Sequence, residues 1–500
     1  MMARSPVPLP LLSEVLAGLA ELPRGRDRAL ADLTLDSREV TLGSCFVALA
    51  GSRADGARYI DDAVRRGACA ILCERPQRVP RHAALVVVPD LRRHLGLIAS
   101  RFFDSPAAAL EVCAVTGTNG KTSVAHLYAQ AATLLGRGCG YIGTLGAGTP
   151  GALTPTANTT PDVITSNRWL ARFRADGLSA AALEASSHAL AQERLAGLAL
   201  SAAAFTNLGH DHLDYHADLA AYARAKRRLF EQPGLRQAIV NIDDATGRDI
   251  AATLASGVEV WRVSSGGAGT EPPADARVVA TAITAHAAGM RFTLAAEGRS
   301  AVIESRLGGR FNVDNLLTVA ALLLAGGHAF GPVAGVLGGL ALVPGRMQAC
   351  GVTPAGANVV VDYAHSPDSL AALLVAARAL APARIWLVFG CGGERDRSKR
   401  PLMGAVAESG ADEVIVTSDN PRSEAPEMIA REIMAGMRGQ AARYVEDRAL
   451  AIRTALAAAA TGDLVLVAGK GHEATQECAG VLRPFSDAEV IAGLLDGVRR

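Results

Sequence analysis

Only four of the fifty basic residues in this 500-residue chain are lysine: Lys121, Lys226, Lys399 and Lys470. Arginine serves wherever a generic positive charge is enough, so each surviving lysine marks a position that needs a primary amine. Such an amine is a compact phosphate ligand or, when neutral, a nucleophile; guanidinium is planar and always charged. For Lys399, set among Arg397, Ser398 and Arg400, chance survival on the surface stays open. Lys121 closes a glycine loop, Thr116-Gly117-Thr118-Asn119-Gly120-Lys121-Thr122-Ser123. Its backbone N–H groups and the helix that follows suit an anion, Lys121 reaches terminal phosphates, and the Thr122 hydroxyl suits Mg²⁺. Farther on come Glu184, before Ala185-Ser186-Ser187-His188, and His212, in His210-Asp211-His212-Leu213-Asp214-Tyr215-His216. A carboxylate and an imidazole at neighbouring strand ends suit a divalent metal, and their spread argues against tetrahedral zinc. Lys226 lies one helical turn from Tyr222.

The elements that must position these groups follow from periodicity. Val112–Val115 reads as a strand and residues 122–135 as a helix, with the glycine loop between them. The strand-like runs 180–183, 203–206 and 238–240 alternate with helical stretches, which indicates a parallel sheet. Residues 266–309 alternate as hairpin strands. Four more apolar runs (359–361, 385–389, 414–416 and 464–467) are each followed by a polar loop: Asp362-Tyr363-Ala364-His365, Gly390 to Asp396, Ser418-Asp419-Asn420-Pro421-Arg422, and Gly469-Lys470-Gly471-His472-Glu473. In an open parallel sheet such loops share one edge, where ligands bind. The fold class is therefore α/β with three domains: a small N-terminal α/β domain (1–108), a central P-loop-type parallel-sheet ATPase domain (109–345) and a C-terminal Rossmann-like domain (346–500).

Composition narrows the function. Fifty basic and forty-nine acidic residues leave a net charge of +1, so no field draws the chain to nucleic acid. Eight cysteines without a CxxC pair fit free thiols in a reducing cytoplasm. Prolines 6, 8 and 10 interrupt the apolar N-terminus, against a secretory signal. Residues 316–345 are long and apolar enough for a membrane span, but Gly326-Gly327, Gly331-Pro332 and Gly338-Gly339 divide them into two buried helices.

Taken in order, several motifs resemble the Mur ligases over nearly the whole chain. They are Leu35-Asp36-Ser37-Arg38, the 116–123 loop, Asn158-Thr159-Thr160-Pro161, Glu184 to His188, Asp211-His212-Leu213-Asp214, Ala225-Lys226, Phe311-Asn312-Val313-Asp314-Asn315, Pro344-Gly345-Arg346-Met347, Asp362 to His365 and Asp419 to Arg422. The resemblance implies ATP as co-substrate, contacted by Gly117, Thr118, Asn119, Gly120, Lys121, Thr122, Ser123, Asn312, Asn315, Arg346 and His365. It implies a CO₂-derived carbamate on Lys226 and two Mg²⁺ ions held by Thr122, Glu184, His212 and that carbamate, with Lys121, Lys226, Glu184 and His212 as the catalytic set. It also implies a UDP-linked muramoyl-dipeptide site built from Leu35, Ser37, Ser52, Arg53, Ala54, Asn158, Thr159, Thr160, Ser186, Gln192 and Arg194.

The incoming amino acid is read from Asp419-Asn420-Pro421-Arg422, which resembles the motif of family members that use meso-diaminopimelate; Gly469 is carried over with it. Arg422 and Arg395 suit a distal carboxylate that lysine lacks, and Glu473 suits an ammonium group. The expected reaction is amide formation on a D-glutamyl γ-carboxylate through an acyl phosphate, by a cytoplasmic monomer in peptidoglycan precursor synthesis. Departures from the pattern are small: Ala185, Ala189 and Gly209-His210. An L-lysine-adding relative, a folylpolyglutamate-type ligase and a nucleotide-dependent switch are the alternatives.

Overall fold

A computed structural model of the chain describes residues 9–51, 55–80, 83–266, 271–286, 289–439 and 442–496. The chain divides into two compact units, one of residues 1–113, 138–201 and 231–235, the other of 114–137, 202–230 and 236–500.

The first unit opens with a four-stranded parallel sheet, Asp32–Thr34, Ser44–Ala48, Ala70–Cys73 and Ala84–Val87, in sequence order. Ser44–Ala48 and Ala70–Cys73 are buried at every position, which is why they read as unbroken apolar runs. Helix Leu91–Phe102 buries Leu91, Leu95, Ile98 and Ala99 in the same core as Leu12, Val15, Val163 and Ile164. At Gly96 a Cβ would stand 1.8 Å from the Ala196 carbonyl oxygen, so only glycine permits that approach. The unit also holds the parallel pair Cys139–Gly143 and Ala180–Glu184, and the short antiparallel strands Gly146–Thr149 and Ala152–Thr154. Helix Val163–Ala175 is capped by the Asp162 carboxylate, which accepts from the Ile164 and Thr165 N–H groups.

In the second unit the glycine loop runs into helix Lys121–Leu134. Strands Ala202–Phe205, Gln237–Asn241 and Glu259–Ser264 lie parallel, and Val278–His286 starts parallel before pairing antiparallel with Gly289–Ala296, itself paired with Arg299–Ser305. The expected hairpin region is thus present. Residues 316–345 contribute to two helices, Arg310–Ala325 and Phe330–Leu337, divided at Gly326-Gly327 and ended at Gly338-Gly339. Gly331-Pro332 is no break but lies in the first turn of the second helix, which buries only Phe330, Val333 and Leu337. No helix among the described residues is long and apolar enough to cross a membrane.

The C-terminal sheet has the order Gln348–Val352, Asn358–Asp362, Leu464–Ala468, Ile385–Phe389, Glu413–Val416 and Arg443–Tyr444. Only the first strand is antiparallel to its neighbour. Val359, Val361, Val388, Ile415, Val465 and Val467 face one core, while Val360, Leu387, Phe389, Val416, Leu464 and Leu466 face the other. Burial on both faces accounts for the continuous apolar runs, and parallel pairing carries the four polar loops to one edge.

Candidate active site

The glycine loop is shaped by its backbone. Gly117 has φ +149° and Gly120 φ +85°; a Cβ at Gly117 would meet Thr206 Oγ1 at 1.8 Å, and one at Gly120 would meet Asn315 Oδ1 at 2.5 Å. Neither position admits a side chain. Lys121 Nζ donates to the carbonyls of Gly117 and Thr118, both at 2.9 Å, so its charge sits over the loop. The Asn119 N–H donates to Asn207 Oδ1 (3.0 Å), and the Thr206 hydroxyl donates to the Asn119 carbonyl (2.6 Å). Ser123 is buried in the first turn of the helix. Arg346 donates to Thr122 Oγ1 at 3.1 Å and lies 4.5 Å from the Tyr363 ring centre, with Nε buried and without a hydrogen-bond partner among the described residues. Asn315 donates to Asn312 Oδ1 at 2.9 Å, and Asn312 to the Gly308 carbonyl at 2.7 Å. These residues, scattered along the sequence, line one loop.

Lys226 is 1% exposed at the end of helix Leu219–Arg227. Its amine donates to the Gly117 carbonyl at 2.6 Å and lies 4.2 Å from the Tyr222 ring centre, the helical pairing read from the spacing. Burial, reinforced by the nearby Lys121 charge, pushes its pKa well below the usual lysine range. Tyr222 also accepts a hydrogen bond from the Thr118 hydroxyl at 3.2 Å.

Asp211 gathers two imidazoles and an ammonium group. His212 Nε2 lies 3.6 Å from Asp211 Oδ2, His365 Nε2 3.6 Å from the same oxygen, and Lys399 Nζ 3.8 Å from Oδ1. Burial would raise the Asp211 pKa, but His365, His212 and Lys399 together hold it well below the carboxylate range. Lys399 is therefore no chance survivor on the surface, since its side chain is only 8% exposed. His212 itself takes the left-handed backbone region, φ +57°.

In the first unit Glu184, 1% exposed, accepts from the Tyr141 hydroxyl (2.5 Å) and from the Thr144 N–H (2.8 Å) and hydroxyl (3.1 Å). Around it the Thr160 hydroxyl donates to the Glu184 carbonyl (2.6 Å) and approaches Ser186 Oγ (3.3 Å), and Thr144 bonds Thr159 (3.1 Å). Arg194 donates to the Thr160 carbonyl (2.9 Å) and grips Gln192 Oε1 at 2.7 and 3.1 Å. Asn158 is exposed beside them. Ser37 is buried and Leu35 half-buried at the Asp36-capped turn. Ser52, Arg53 and Ala54 lie outside the described residues.

On the C-terminal loop edge, Lys470 Nζ donates to Glu473 Oε2 (2.8 Å) and Asn420 Oδ1 (3.1 Å), and Asn420 Nδ2 donates to Glu473 Oε2 (2.8 Å). Asp419 is buried, its Oδ2 lacking a hydrogen-bond partner among the described residues, and a Cβ on Gly469 would stand 2.6 Å from that oxygen. Burial pushes the Asp419 carboxyl up, against the nearby charges of Arg448 and Lys470. For Glu473 burial is outweighed by the Lys470 charge and hydrogen bond, and its pKa falls. Arg422, at φ +53°, donates to the Gly393 carbonyl (2.6 Å) and lies 3.4 Å from Glu477; Arg395 is exposed. Gly393 has no room for a Cβ, which would meet the Pro421 carbonyl oxygen at 2.0 Å.

Sequence reasoning assigned no role to Tyr141, Thr144, Asp211, Lys399, Arg400 or Lys470. The scarcity of lysine pointed to two of these, and nothing in the sequence pointed to Tyr141 or Thr144. Among the described residues no group of three or more His, Cys, Asp or Glu side chains could hold a metal ion. The donors expected here include a hydroxyl and a lysine, which such a group does not contain.

A phosphate-type loop with a buried amine beside it, and a separate loop edge bearing paired opposite charges, fit a nucleotide-dependent α/β enzyme. The chain belongs to the Mur ligase family. Residues 30–103 match the model for the Mur ligase family catalytic domain, 115–323 that for the Mur ligase middle domain, and 345–471 that for the Mur ligase glutamate ligase domain. The UDP-N-acetylmuramoyl-L-alanyl-D-glutamate–2,6-diaminopimelate ligase of Alkalilimnicola ehrlichii is 44% identical over 97% of this chain and 98% of its own length. A solved structure of a ligase of that same name is 34% identical with a TM-score of 0.70, covering 98% of this chain and 100% of its own. The MurF ligase of Thermotoga maritima in complex with ADP shares the fold, with a TM-score of 0.66 at 17% identity, covering 93% of this chain and 97% of its own.

Proposed function

We propose that this chain is an ATP-dependent ligase that adds meso-2,6-diaminopimelate to the D-glutamyl γ-carboxylate of UDP-N-acetylmuramoyl-L-alanyl-D-glutamate, in peptidoglycan precursor synthesis. The observation that carries the reading is the C-terminal loop edge, where Arg422 and Glu473 flank Asn420 in a chain related throughout to diaminopimelate ligases. A diaminopimelate end bears both a carboxylate and an ammonium group, and these two side chains match them; lysine offers only the ammonium. The domain limits at 108 and 345, a cytoplasmic location and a monomeric state belong to the same reading.

Lys121 and the loop N–H groups hold the ATP phosphates, and Arg346 and the Asn312–Asn315 pair, joined at 2.9 Å, steady the nucleotide side. The dipeptide γ-carboxylate takes the γ-phosphoryl group, releasing ADP. The free amine of diaminopimelate then attacks the acyl carbon and phosphate leaves. Thr160, Ser186, Gln192 and Arg194, already bonded to one another, and Thr159, bonded to Thr144, present a preformed polar surface to the dipeptide. Leu35, Ser37 and the 52–54 segment serve the uridine nucleotide.

Thr122, Glu184, His212 and a carbamylated Lys226 would hold Mg²⁺, which when bound supplies positive charge for phosphoryl transfer. The donor chemistry fits. The Lys226 amine is buried and held in place by the Gly117 carbonyl, an environment that favours its neutral, CO₂-reactive form, and arginine could not replace it. Glu184 is locked by three hydrogen bonds.

The test is an amino-acid panel. Purified protein with the UDP-linked dipeptide, ATP and Mg²⁺ should release phosphate on addition of meso-diaminopimelate and much more slowly with L-lysine. Preference for L-lysine, or for glutamate on a folate substrate, would replace the reading, and hydrolysis independent of amino acid would make the protein a nucleotide switch.

A further inference from the structure

The sequence marks Lys470 as an amine that arginine did not replace, yet the reaction described above gives it no part. Its side chain is 0% exposed. Its ammonium bridges Glu473 Oε2 and Asn420 Oδ1, and Asn420 Nδ2 closes the triangle on Glu473 Oε2. Both internal bonds to Glu473 therefore fall on Oε2. Oε1 takes no part in the triangle, and the Glu473 side chain keeps 30% of its surface exposed. The Asn420 oxygen also accepts the Glu477 N–H at 3.0 Å, which fixes the direction of the amide. The Arg422 guanidinium and the Arg395 stem lie beside Gly392: a Cβ there would lie 3.1 Å from the Arg422 guanidinium, 3.5 Å from Arg395 Cγ and 3.9 Å from the Asn420 carbonyl oxygen. An arginine at position 470 would bring a planar fork into a space filled by a compact three-donor group.

We infer that Lys470 is a specificity-determining positioning residue, whose buried ammonium cancels the charge of Glu473 while aiming Oε1 at the ligand. The inference deepens the diaminopimelate reading and rests on it. With Lys470 in place, Glu473 and Lys470 together are neutral, so a bare ammonium end gains only a hydrogen bond. A zwitterionic end gains that bond and also the arginines beside Gly392. Removing the ammonium leaves Glu473 with a full negative charge, which attracts an unpaired cation and narrows the gap between the two ligands.

The experiment compares kcat and KM for meso-diaminopimelate, L-lysine and ATP in the wild type, Lys470→Met, Glu473→Gln and the double variant. Lys470→Met is expected to lower the diaminopimelate-to-lysine ratio of kcat/KM by about tenfold, with KM for ATP unchanged. Glu473→Gln takes from the buried Lys470 the carboxylate it is bonded to and leaves only the Asp419 charge nearby, so diaminopimelate KM should rise steeply, and adding Lys470→Met should recover part of that loss. A merely structural Lys470 would make the double variant worse than either single one. An unchanged amino-acid ratio in Lys470→Met, or additive losses in the double variant, would overturn the inference. If Lys470→Met fails to fold by circular dichroism, Lys470→Gln, neutral but still able to donate to Asn420, gives the same two readouts. A wild type that transfers neither amino acid would instead sink the functional reading.

Discussion

The residues proposed to do the chemistry are held by neighbours whose role is geometric. Glu184 is fixed by Tyr141 and Thr144, and Lys226 by a backbone carbonyl and an aromatic face. Lys226→Arg should lower turnover by about a hundredfold or more, since guanidinium cannot take up CO₂, while ADP binding measured by calorimetry is retained. In the wild type, ¹³C-bicarbonate should give a carbamate carbon resonance that is absent from this variant. Thr144→Val deletes the hydroxyl bond to Glu184, so kcat should fall about ten- to a hundredfold, as when a partner that orients a metal ligand is lost, with little change in melting temperature.

Among the elements, the C-terminal helices and loops are joined through an ion cluster centred on one buried arginine. Arg400, whose side chain is fully buried, binds Glu424 at 2.9 Å and Glu432 at 2.7 Å and reaches the Gly392 carbonyl at 3.2 Å. It thereby ties helix Lys399–Gly410 to helix Pro426–Met434 and to the loop beside Arg422. Arg400→Met takes one partner from each of two part-exposed carboxylates, of which Glu432 keeps Arg397 and Glu424 keeps the Glu394 N–H, and should cost about 1–3 kcal/mol in urea unfolding. The pH dependence has a definite sign. Hydrogen bonding to Arg400 lowers the Glu424 pKa to about 2, below the 4.5 of an ordinary glutamate. Its stabilising contribution is therefore complete above about 4.5 and is lost as the pH falls toward about 2. The gap in stability between wild type and Arg400→Met should shrink across that window.

On the scale of the molecule, Asp211 links the loop after strand Ala202–Phe205 to His365, in the loop after strand Asn358–Asp362, and to Lys399, at the start of helix Lys399–Gly410. Asp368 adds a second link by accepting the His210 N–H at 2.6 Å. Asp211→Asn leaves the buried Lys399 amine without its counter-charge, so unfolding should become easier by about 1–3 kcal/mol. The loss should be larger than that from Asp214→Asn in the same motif, where Asp214 is exposed. Equal losses in chemical denaturation would show that Asp211 carries no such link.

Much of this was legible in the residues. The alternation of apolar runs and polar loops located the parallel sheets, because burial on both faces demands unbroken runs such as Val465, Leu466 and Val467. The glycine loop and the lysine count marked the candidate site, because glycine alone takes those backbone angles and arginine cannot act as an amine. What the sequence could not determine is which distant groups meet. Lys399 stood open to a surface reading and lies buried at Asp211; Tyr141 and Thr144 carried no signal and hold Glu184; Lys470 was marked only by type and proved to be the partner of Glu473 and Asn420. Local pattern reports the period of burial along the chain. Partners 40 or 50 residues apart are brought together only when the strands take their places in the sheet.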